Sequence, residues 1–449
     1  MDDENNVHKL SIAPTVPRWW RVIPFLTLIV MISVIDNLIL NDFIQYRYSI
    51  LYQSNSSSSA NTRELCLNGS ETSHKTDVFI STTTLSPERH IQLSTARLNI
   101  FIALATTIPA ILTSILLGSN CDRIGRKPLI VLPFIGKAFR YSILTATAHY
   151  NLSDTWIIIA VMCDGVFGTS GLSILSAFTY VSDCTNKQSR TSSIIITDVC
   201  MISGKIIPLV GMGIYLKNPY FVQSMVFTFL LSLVGFVSAI ILQPESNLNV
   251  QHLNILQQLA QIKLRQTTKI FNVFLVKRPE YKQRSLIIIT CAHLSLIVMA
   301  YGHIALNYLY LYGAPFCFDS LGVSLTTVAQ TVSMILFTIP CTMIVTKRTD
   351  HLLLPMLGCL AYMIQLVLYG VANEIWIIYV AVCIGSLFIV LVPVIRSRIT
   401  KLVEPTEYAV VFILASIFES GGSYAISAMA NEIYRITLTF YSSISKVHK

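Results

Sequence analysis

The sequence predicts an all-α protein that crosses a membrane many times. Three observations lead to this fold class. Of the 449 residues, 53% are hydrophobic and only 12% are charged, whereas a soluble domain typically has about 25% charged residues. The apolar residues are grouped in long runs, and the basic residues lie in alternate connections between these runs. Most of the surface is therefore expected to face lipid.

The apolar runs are long enough to be transmembrane helices. A helix of about 20 apolar residues spans the roughly 30 Å apolar core of a bilayer, and it satisfies its own backbone hydrogen bonds, which lipid cannot do. A polar segment, 243–283, separates six runs from five, so two helical halves are expected, 22–242 and 284–449. The eleven predicted spans are 22–44, 95–118, 128–149, 155–182, 193–215, 221–242, 285–312, 321–346, 352–371, 375–396 and 408–430.

The distribution of Lys and Arg predicts which side each connection faces. Cytoplasmic connections carry an excess of basic residues, so the N-terminal segment, 1–21, and the central loop, 243–283, are expected in the cytoplasm. The opposite connections are poor in basic residues, apart from the long first loop, 45–94. The basic residues outside the central loop that set this orientation are Arg18, Arg21, Arg123, Arg126, Lys127, Lys187, Arg190, Lys347, Arg348, Arg396, Arg398 and Lys401. This placement explains the net charge of +9, and no nucleic-acid partner is expected.

Three glycosylation sequons agree with this orientation. They begin at Asn55, Asn68 and Asn151, all on the predicted outer side. A single sequon arises easily by chance, but their common sidedness favours an extracellular location and a glycoprotein.

Two of the ten cysteines lie in predicted outer loops. Cys66 is in the first loop and Cys317 lies between spans seven and eight. Because the outside is oxidising, we predict a disulfide between them that joins the two halves. The alternative is two free thiols.

The connection between spans two and three contains an ordered motif of glycines and charges. Glycine permits close helix approach and tight turns, and a carboxylate beside basic groups can hold one conformation and release it in another. The order of residues resembles the gating motif of the major facilitator superfamily rather than a generic basic loop. The six matching positions are Gly118, Asp122, Arg123, Gly125, Arg126 and Lys127. The resemblance implies a fold of two pseudo-symmetric helical halves.

A second resemblance narrows the family. The segment Val392–Glu407 resembles the region after span ten in the proton-coupled folate transporter and thymic stromal cotransporter family, solute carrier family 46. That family has a twelfth helix, whereas this sequence ends soon after Phe440. Eleven spans are therefore expected, and either a truncated chain or an incomplete bundle would account for them.

The resemblance assigns two candidate proton-coupling residues. Asp198 in span five lies where the folate transporter has a Glu that is needed for coupling. An acid at membrane depth is costly when charged and can take up a proton, although a structural, hydrogen-bonded acid is the alternative. His303 lies one helical turn from the family's span-seven His, and it could instead be a packing residue.

Three further residues are candidates for substrate handling. Arg396 matches a family Arg that affects substrate and proton handling, with an orientation anchor as the alternative. Asp36 in span one is a candidate cavity residue, and Glu419 in span eleven is an intramembrane charge where the family has Asn. These changes leave folate and a related organic anion both open as substrates.

The central loop contains a segment that can form a helix on the membrane surface, and it contains no candidate catalytic residues. Leu253, Leu256 and Leu259 lie among polar residues, a spacing that is typical of an amphipathic helix on a membrane surface. The sequence contains no phosphate-binding loop, metal-ligand cluster or nucleophilic triad, so neither an enzyme nor a bound cofactor is expected.

Together these features predict a secondary active transporter. We expect proton-coupled symport of a small organic anion such as folate, with protons as the coupling ion. The alternatives are proton-independent facilitative transport and a non-transporting receptor or scaffold. The expected location is the plasma membrane, with the lysosomal membrane as the alternative. The sequence does not indicate an oligomeric state.

Overall fold

A computed structural model describes most of the two predicted halves. It describes residues 17–53, 87–186, 190–216, 218–247, 250–263, 279–313, 316–347, 353–390, 422 and 425–437. Within these ranges the regular secondary structure is helical throughout, with no strand. The all-α fold class is confirmed.

The first half consists of long helices joined by short turns. A 3₁₀ turn, Trp19–Val22, leads into the first helix. The helices are α1 (Ile23–Gln53), α2 (Pro87–Ser119), α3 (Cys121–Ile124), α4 (Lys127–His149), α5 (Asp154–Val166), α6 (Thr169–Asp183), α7 (Arg190–Ser203), α8 (Ile206–Tyr215) and α9 (Phe221–Leu242). A short helix, α10 (Ile255–Leu259), lies in the central segment.

The described part of the second half is built in the same way. Its helices are α11 (Glu280–Tyr312), α12 (Ser320–Lys347), α13 (Leu353–Val371) and α14 (Ile375–Gly385), followed by a 3₁₀ turn (Ser386–Val390). Residues 425–437 form a further helix.

Seven stretches of the described residues are long and apolar enough to cross a membrane, and two shorter apolar helices follow them. The first six agree with predicted spans one to six, and the seventh agrees with span eight. The total of eleven stays a prediction, because parts of spans ten and eleven lie outside the described residues.

Two predicted spans are interrupted. Span four breaks between α5 and α6 at Gly168, whose φ of +89° is left-handed and suits a residue without a side chain. Span five breaks between α7 and α8, at Gly204 and Lys205. Hydropathy cannot locate such breaks, because the apolar runs continue through them.

The helices on either side of the predicted first loop, 45–94, extend into it. The first helix continues to Gln53, and the next begins at Pro87. The extension of α1 is polar and finds partners at the start of α5: Arg47 forms a 3.0 Å ion pair with Asp154, and the Tyr48 hydroxyl donates to the same carboxylate at 2.7 Å. These contacts stabilise helical turns beyond the apolar stretch.

The core of the first half is arranged around α4, which packs against α5, α6 and α9. Gly235 on α9 lies so close to Phe134 that a Cβ there would be 2.4 Å from the ring. We call the end of the bundle that carries residues 118–127 the motif end. The opposite end, which carries Asn151, is the sequon end.

The predicted amphipathic helix of the central loop is partly confirmed. Its helical part is α10, where Leu259 packs against the apolar cluster at the motif end and Leu256 is 81% exposed. Asn120 next to α3 holds the following segment, because it accepts from the Lys263 backbone N–H at 3.0 Å.

Candidate functional site: a buried charge quartet

Two acids and two bases meet inside the first half. Asp36 comes from α1, Lys137 and Arg140 from α4, and Asp164 from α5; we call these four residues the charge quartet. Their side chains are between 0% and 5% exposed. Residues three apart lie on the same face of a helix, which is why both cations of α4 point to the same two acids.

Lys137 bridges the two carboxylates. Its Nζ lies 2.9 Å from Oδ2 of Asp36 and 2.8 Å from Oδ2 of Asp164. A single ammonium group therefore connects α1 and α5 through α4.

Arg140 makes the same bridge with its two terminal nitrogens. Nη2 lies 2.9 Å from Oδ1 of Asp36, and Nη1 lies 3.1 Å from Oδ2 of Asp164. Both cations thus converge on one oxygen of Asp164.

The carboxylate of Asp36 is held at both of its oxygens. Oδ2 accepts from Lys137, while Oδ1 accepts from Arg140 and, at 2.8 Å, from the Tyr141 hydroxyl. Tyr141 is completely buried. The two cations and the hydroxyl group therefore form a preformed binding site for a carboxylate.

The quartet is electrically neutral when all four groups are charged. Burying an unpaired ion costs many kcal/mol, whereas opposite charges at hydrogen-bond distance compensate each other. Removing or adding one proton or one ion would leave an uncompensated charge inside the membrane. Groups of this kind mark substrate and proton pathways in membrane proteins.

The sequence analysis identified only Asp36 as a transport residue of this site and missed Lys137 and Arg140. Both cations lie inside predicted span three, where the rule that intramembrane charges are functional would have found them. Their importance comes from partners on two other helices, which hydropathy does not show.

The gating motif forms a second charged cluster, at the motif end. The Arg126 guanidinium contacts Asp122 at 2.7 Å and Asp183, the last residue of α6, at 3.0 Å. The Ser176 hydroxyl on α6 donates to the Arg126 carbonyl oxygen at 2.7 Å. The motif therefore ties the loop after α2 to the end of α6.

Glu245, just after α9, caps the first turn of α4. Its carboxylate accepts the backbone N–H groups of Arg126 at 2.8 Å and Lys127 at 2.9 Å. A negative charge at a helix N-terminus is stabilising. Gly125 makes this contact possible, since its φ is +92° and a Cβ there would lie 2.4 Å from the Glu245 carboxylate.

The other motif residues have simpler surroundings. The Lys127 Nζ donates to the Ile240 carbonyl oxygen at 2.6 Å. Burial raises the pKa of the neighbouring Cys121 thiol to about 12, so this group packs as a neutral side chain. Gly118 ends the last turn of α2, and Arg123 is half-buried on α3.

His303 lies in an aromatic cluster of the second half. Its ring lies edge-on to Tyr369 at 4.8 Å and to Tyr362 at 6.1 Å, between α11 and α13. We use the name aromatic cluster for these three residues together with Tyr310, whose ring is tilted by 33° to that of Tyr369 at a centroid distance of 5.6 Å. Among the described residues, Nε2 of His303 is buried without a hydrogen-bond partner.

A second buried polar side chain, Gln365, lies on the face of α13 that carries Tyr362 and Tyr369. Gln365 is 0% exposed, and neither atom of its amide has a hydrogen-bond partner among the described residues. It is pressed against Gly385 of α14, where a Cβ would overlap its amide oxygen.

The two halves meet at a junction near the sequon end. The carboxylate of Asp42 on α1 accepts hydrogen bonds from the hydroxyl groups of Tyr312 on α11 and Ser320 on α12. One other contact joins the halves nearby: the Tyr434 hydroxyl donates to Oε1 of Gln92 at 3.4 Å. The halves are therefore closed against each other at this end.

The remaining predicted site residues are dispersed. Asp198 is half-buried on α7. Arg396 and Glu419 lie outside the described residues, as do the sequon residues Asn55 and Asn68.

The predictions for the sequon end stay partly open. Asn151 is exposed in the turn after α4, as an acceptor of a glycan must be. The disulfide between Cys66 and Cys317 stays a prediction, because Cys66 lies outside the described residues. Among the residues that the structure describes, no group of three or more His, Cys, Asp or Glu could hold a metal ion.

Comparison with known sequences gives consistent matches along most of the chain. The model of the Major Facilitator Superfamily matches residues 76–427. A Gallus gallus protein described as a lysosomal proton-coupled steroid conjugate and bile acid symporter is 25% identical over 375 residues, which cover 81% of this chain and 79% of the relative. The proton-coupled folate transporter of Rattus norvegicus is 20% identical over 359 residues, covering 78% of this chain and 75% of that protein.

Solved structures agree at the level of the fold. The human organic anion transporter TETRAN superimposes with a TM-score of 0.61 at 13% identity, covering 93% of this chain and 94% of that one. A POT family transporter bound to 5-aminolevulinic acid gives a TM-score of 0.58 at 12% identity, over 94% and 92% of the two chains. These matches confirm the predicted architecture of two helical halves.

Proposed function

Because the chain belongs to the major facilitator superfamily, and is therefore a multi-pass membrane transporter rather than an enzyme, we propose that it couples proton flow to the passage of a small organic anion. The charge quartet is the observation that carries this proposal. It places two carboxylates that can take up protons beside two cations that can bind an anion, all within the membrane-spanning part of the first half.

The physical argument follows from the neutrality of the quartet. An anion that enters a neutral, buried site brings an uncompensated negative charge, which is costly at low dielectric. A proton that binds to one of the carboxylates removes this cost. Proton and anion therefore stabilise each other in the site, which is the thermodynamic condition for symport.

The names of the relatives support the same class of function. Two curated relatives are described as proton-coupled, one for steroid conjugates and bile acids and the other for folate. Bile acids, steroid conjugates and folates are organic molecules that commonly carry acidic groups. We therefore propose an organic anion as the substrate without choosing between these compounds.

The proposal includes a mechanism of alternating access. The junction at Asp42 closes the sequon end in this structure, and the Arg126 contacts of the motif end all lie within the first half. Rocking of the two halves about a central site would open each end in turn. With the motif end in the cytoplasm, as the basic residues predict, release of the Asp42 contacts opens the route from outside.

The predicted coupling residues Asp198 and His303 remain candidates for the proton path, and the quartet is its proposed centre. The half-buried position of Asp198 on α7 and the unpartnered Nε2 of His303 are compatible with proton transfer. For the location we propose the plasma membrane; staining of a tagged chain against a lysosomal marker tests this.

Uptake experiments test the function. Cells that express the chain, with surface expression verified, are given labelled taurocholate, estrone sulfate or folic acid at acidic and at neutral outside pH. We expect uptake of at least one probe to be faster at acidic pH and to collapse when a protonophore removes the gradient.

Two outcomes would contradict the proposal in different ways. Uptake at a rate that does not depend on the proton gradient would indicate a facilitative organic-anion transporter. The absence of uptake for every probe, with normal amounts of the chain in the membrane, would indicate a receptor or scaffold instead.

A further inference from the structure

We propose that Lys137 and Arg140 form the binding subsite for the acidic group of the substrate, and that Asp36 is a resident counter-ion that leaves this subsite when it is protonated. The inference rests on the proposed function and names the site and the charge stoichiometry of that transport. The ligand chemistry is a carboxylate, sulfonate or sulfate attached to an organic body.

The Asp36 carboxylate shows what the subsite binds. Its two oxygens are held by Lys137 at 2.9 Å, by Arg140 at 2.9 Å and by Tyr141 at 2.8 Å. A substrate carboxylate has the same shape, charge and acceptor oxygens as the Asp36 carboxylate. The same three donors would therefore hold it, once Asp36 no longer competes for them.

Asp36 rather than Asp164 is the acid that leaves the subsite, because its helix borders the second half. Helix α1 packs against α12 of the second half and carries Asp42, whose carboxylate bonds to Ser320. Asp36 is six residues away, about 9 Å along the helix axis. Substrate sites of this type of transporter lie between the two halves, so α1 borders the proposed path.

Asp164 has the opposite placement. Its helix, α5, packs against α2 and α4 of the first half. Its side chain is 0% exposed, and Oδ2 accepts from both cations. Asp164 is therefore the permanent anchor that keeps Lys137 and Arg140 together in every step.

The charges balance through the cycle. The quartet is neutral at the start. One proton binds a carboxylate oxygen of Asp36, which makes the site +1, and a substrate with one negative charge then restores neutrality. No other bond forms or breaks. Lys137, Arg140 and Tyr141 on α4 are the titratable groups in contact with Asp36, and Asp164 on α5 faces it across the two cations.

This scheme predicts the pH dependence of binding. One proton is taken up for each acidic group bound, so the apparent affinity at a pH where Asp36 is charged falls about tenfold for each pH unit. The uptake of a monoanion such as taurocholate is electroneutral, whereas a dianion carries net charge.

A matched pair of acid variants tests the role of Asp36. Counterflow of labelled taurocholate and, separately, of folic acid is measured in proteoliposomes at acidic and neutral pH. Asp36→Asn imitates the protonated acid, so its apparent affinity should vary less than about twofold over the range in which the wild type varies about tenfold. Asp164→Asn also removes one negative charge, but it leaves Asp36 bound to Lys137, Arg140 and Tyr141. Substrate must therefore still wait for protonation of Asp36, and the affinity of this variant should still fall with rising pH. A reversed result for the two variants would overturn the assignment of Asp36.

The cation variants test the subsite itself. Arg140→Gln should raise KM for both probes about 10- to 100-fold, as expected when a charged hydrogen bond to an anion is lost. Because Lys137→Gln alone leaves excess buried negative charge, which destabilises the fold, the second measurement uses the charge-balanced pair Lys137→Gln with Asp164→Asn. This pair should also raise KM for both probes.

The outcomes separate this inference from the proposed function. Unchanged KM in folded cation variants, beside normal pH-driven uptake by the wild type, would overturn the subsite and leave the function intact. Failure of the wild type to transport any probe would overturn both.

Discussion

Two sets of buried polar groups, the charge quartet of the first half and His303 with Gln365 of the second, are compensated differently. In the first half, the four members of the charge quartet are fully buried and compensate one another through four ion pairs. In the second half, the aromatic cluster surrounds His303 with rings, and both His303 and Gln365 have buried polar atoms without partners among the described residues.

The two arrangements of buried polar groups are suited to different functions. The quartet is stable only while its net charge is zero, so the binding of one proton or one anion changes its stability. An unpartnered His or Gln carries the cost of its missing hydrogen bond until a ligand or a water molecule supplies a partner. The first half is therefore suited to charge coupling, and the second half to polar recognition.

The largest effect is expected when the charge count of the quartet is broken. Lys137→Met leaves two buried carboxylates with one cation, and removal of one partner from a buried ion pair typically costs about 3–5 kcal/mol. Thermal unfolding in detergent should show this loss. Addition of Asp164→Asn to the same variant restores the balance and should recover most of it. If the double variant were no more stable than the single one, charge compensation would not be what stabilises this region.

The next effect comes from removal of all charge from the quartet. A variant with Asp36→Leu, Lys137→Met, Arg140→Met and Asp164→Leu should be as stable as the wild type or more stable by about 1–4 kcal/mol, since apolar residues of similar size often replace buried ion pairs without loss. Its pH-driven uptake should be abolished. Thermal unfolding and uptake are measured on the same preparation, and retained uptake would show that the quartet is structural only.

A smaller effect is expected in the second half. Gln365→Leu removes the buried amide and keeps similar volume, so the free energy of unfolding should rise by about 1–3 kcal/mol. Tyr369→Phe is the matched control, because it deletes the hydroxyl that donates to Asn307 at 3.2 Å and should lower stability by about 1 kcal/mol. A loss of stability in Gln365→Leu would mean that the amide has a partner and would weaken the contrast between the halves.

The smallest effect is expected at the Asp42 junction between the two halves. Asp42→Asn weakens the hydrogen bonds from Tyr312 and Ser320, and a change of about 1 kcal/mol would shift the balance of open and closed states about fivefold. Spin labels on the sequon ends of α1 and α12 report the distance between the halves. Asp154→Asn, which alters an ion pair within the first half, serves as the control. An unchanged distance distribution in Asp42→Asn would show that the junction does not hold this end closed.

Much of the fold follows from the sequence because lipid demands long apolar helices. The first six spans, the separation into two halves and the motif all came from local patterns. The breaks at Gly168 and Gly204 did not, since the apolar run continues through both.

The site was less accessible to sequence reasoning. Asp36 was identified as an isolated charge in span one, but its role depends on Lys137 and Tyr141, which are about 100 residues away in the chain. The same holds for His303, whose aromatic neighbours lie on α13. Pairings of this kind arise from helix packing, and only the general rule for intramembrane charges points to them in advance.

The cap that Glu245 places on α4 has a consequence for how the chain is made. Glu245 follows the Arg126 backbone amide that it binds by 119 residues, and translation at about 5–20 residues per second separates them by about 6 to 24 s. During that interval the start of α4 has already been synthesised while its cap has not. The first half can therefore acquire its final arrangement only after its sixth span has left the ribosome.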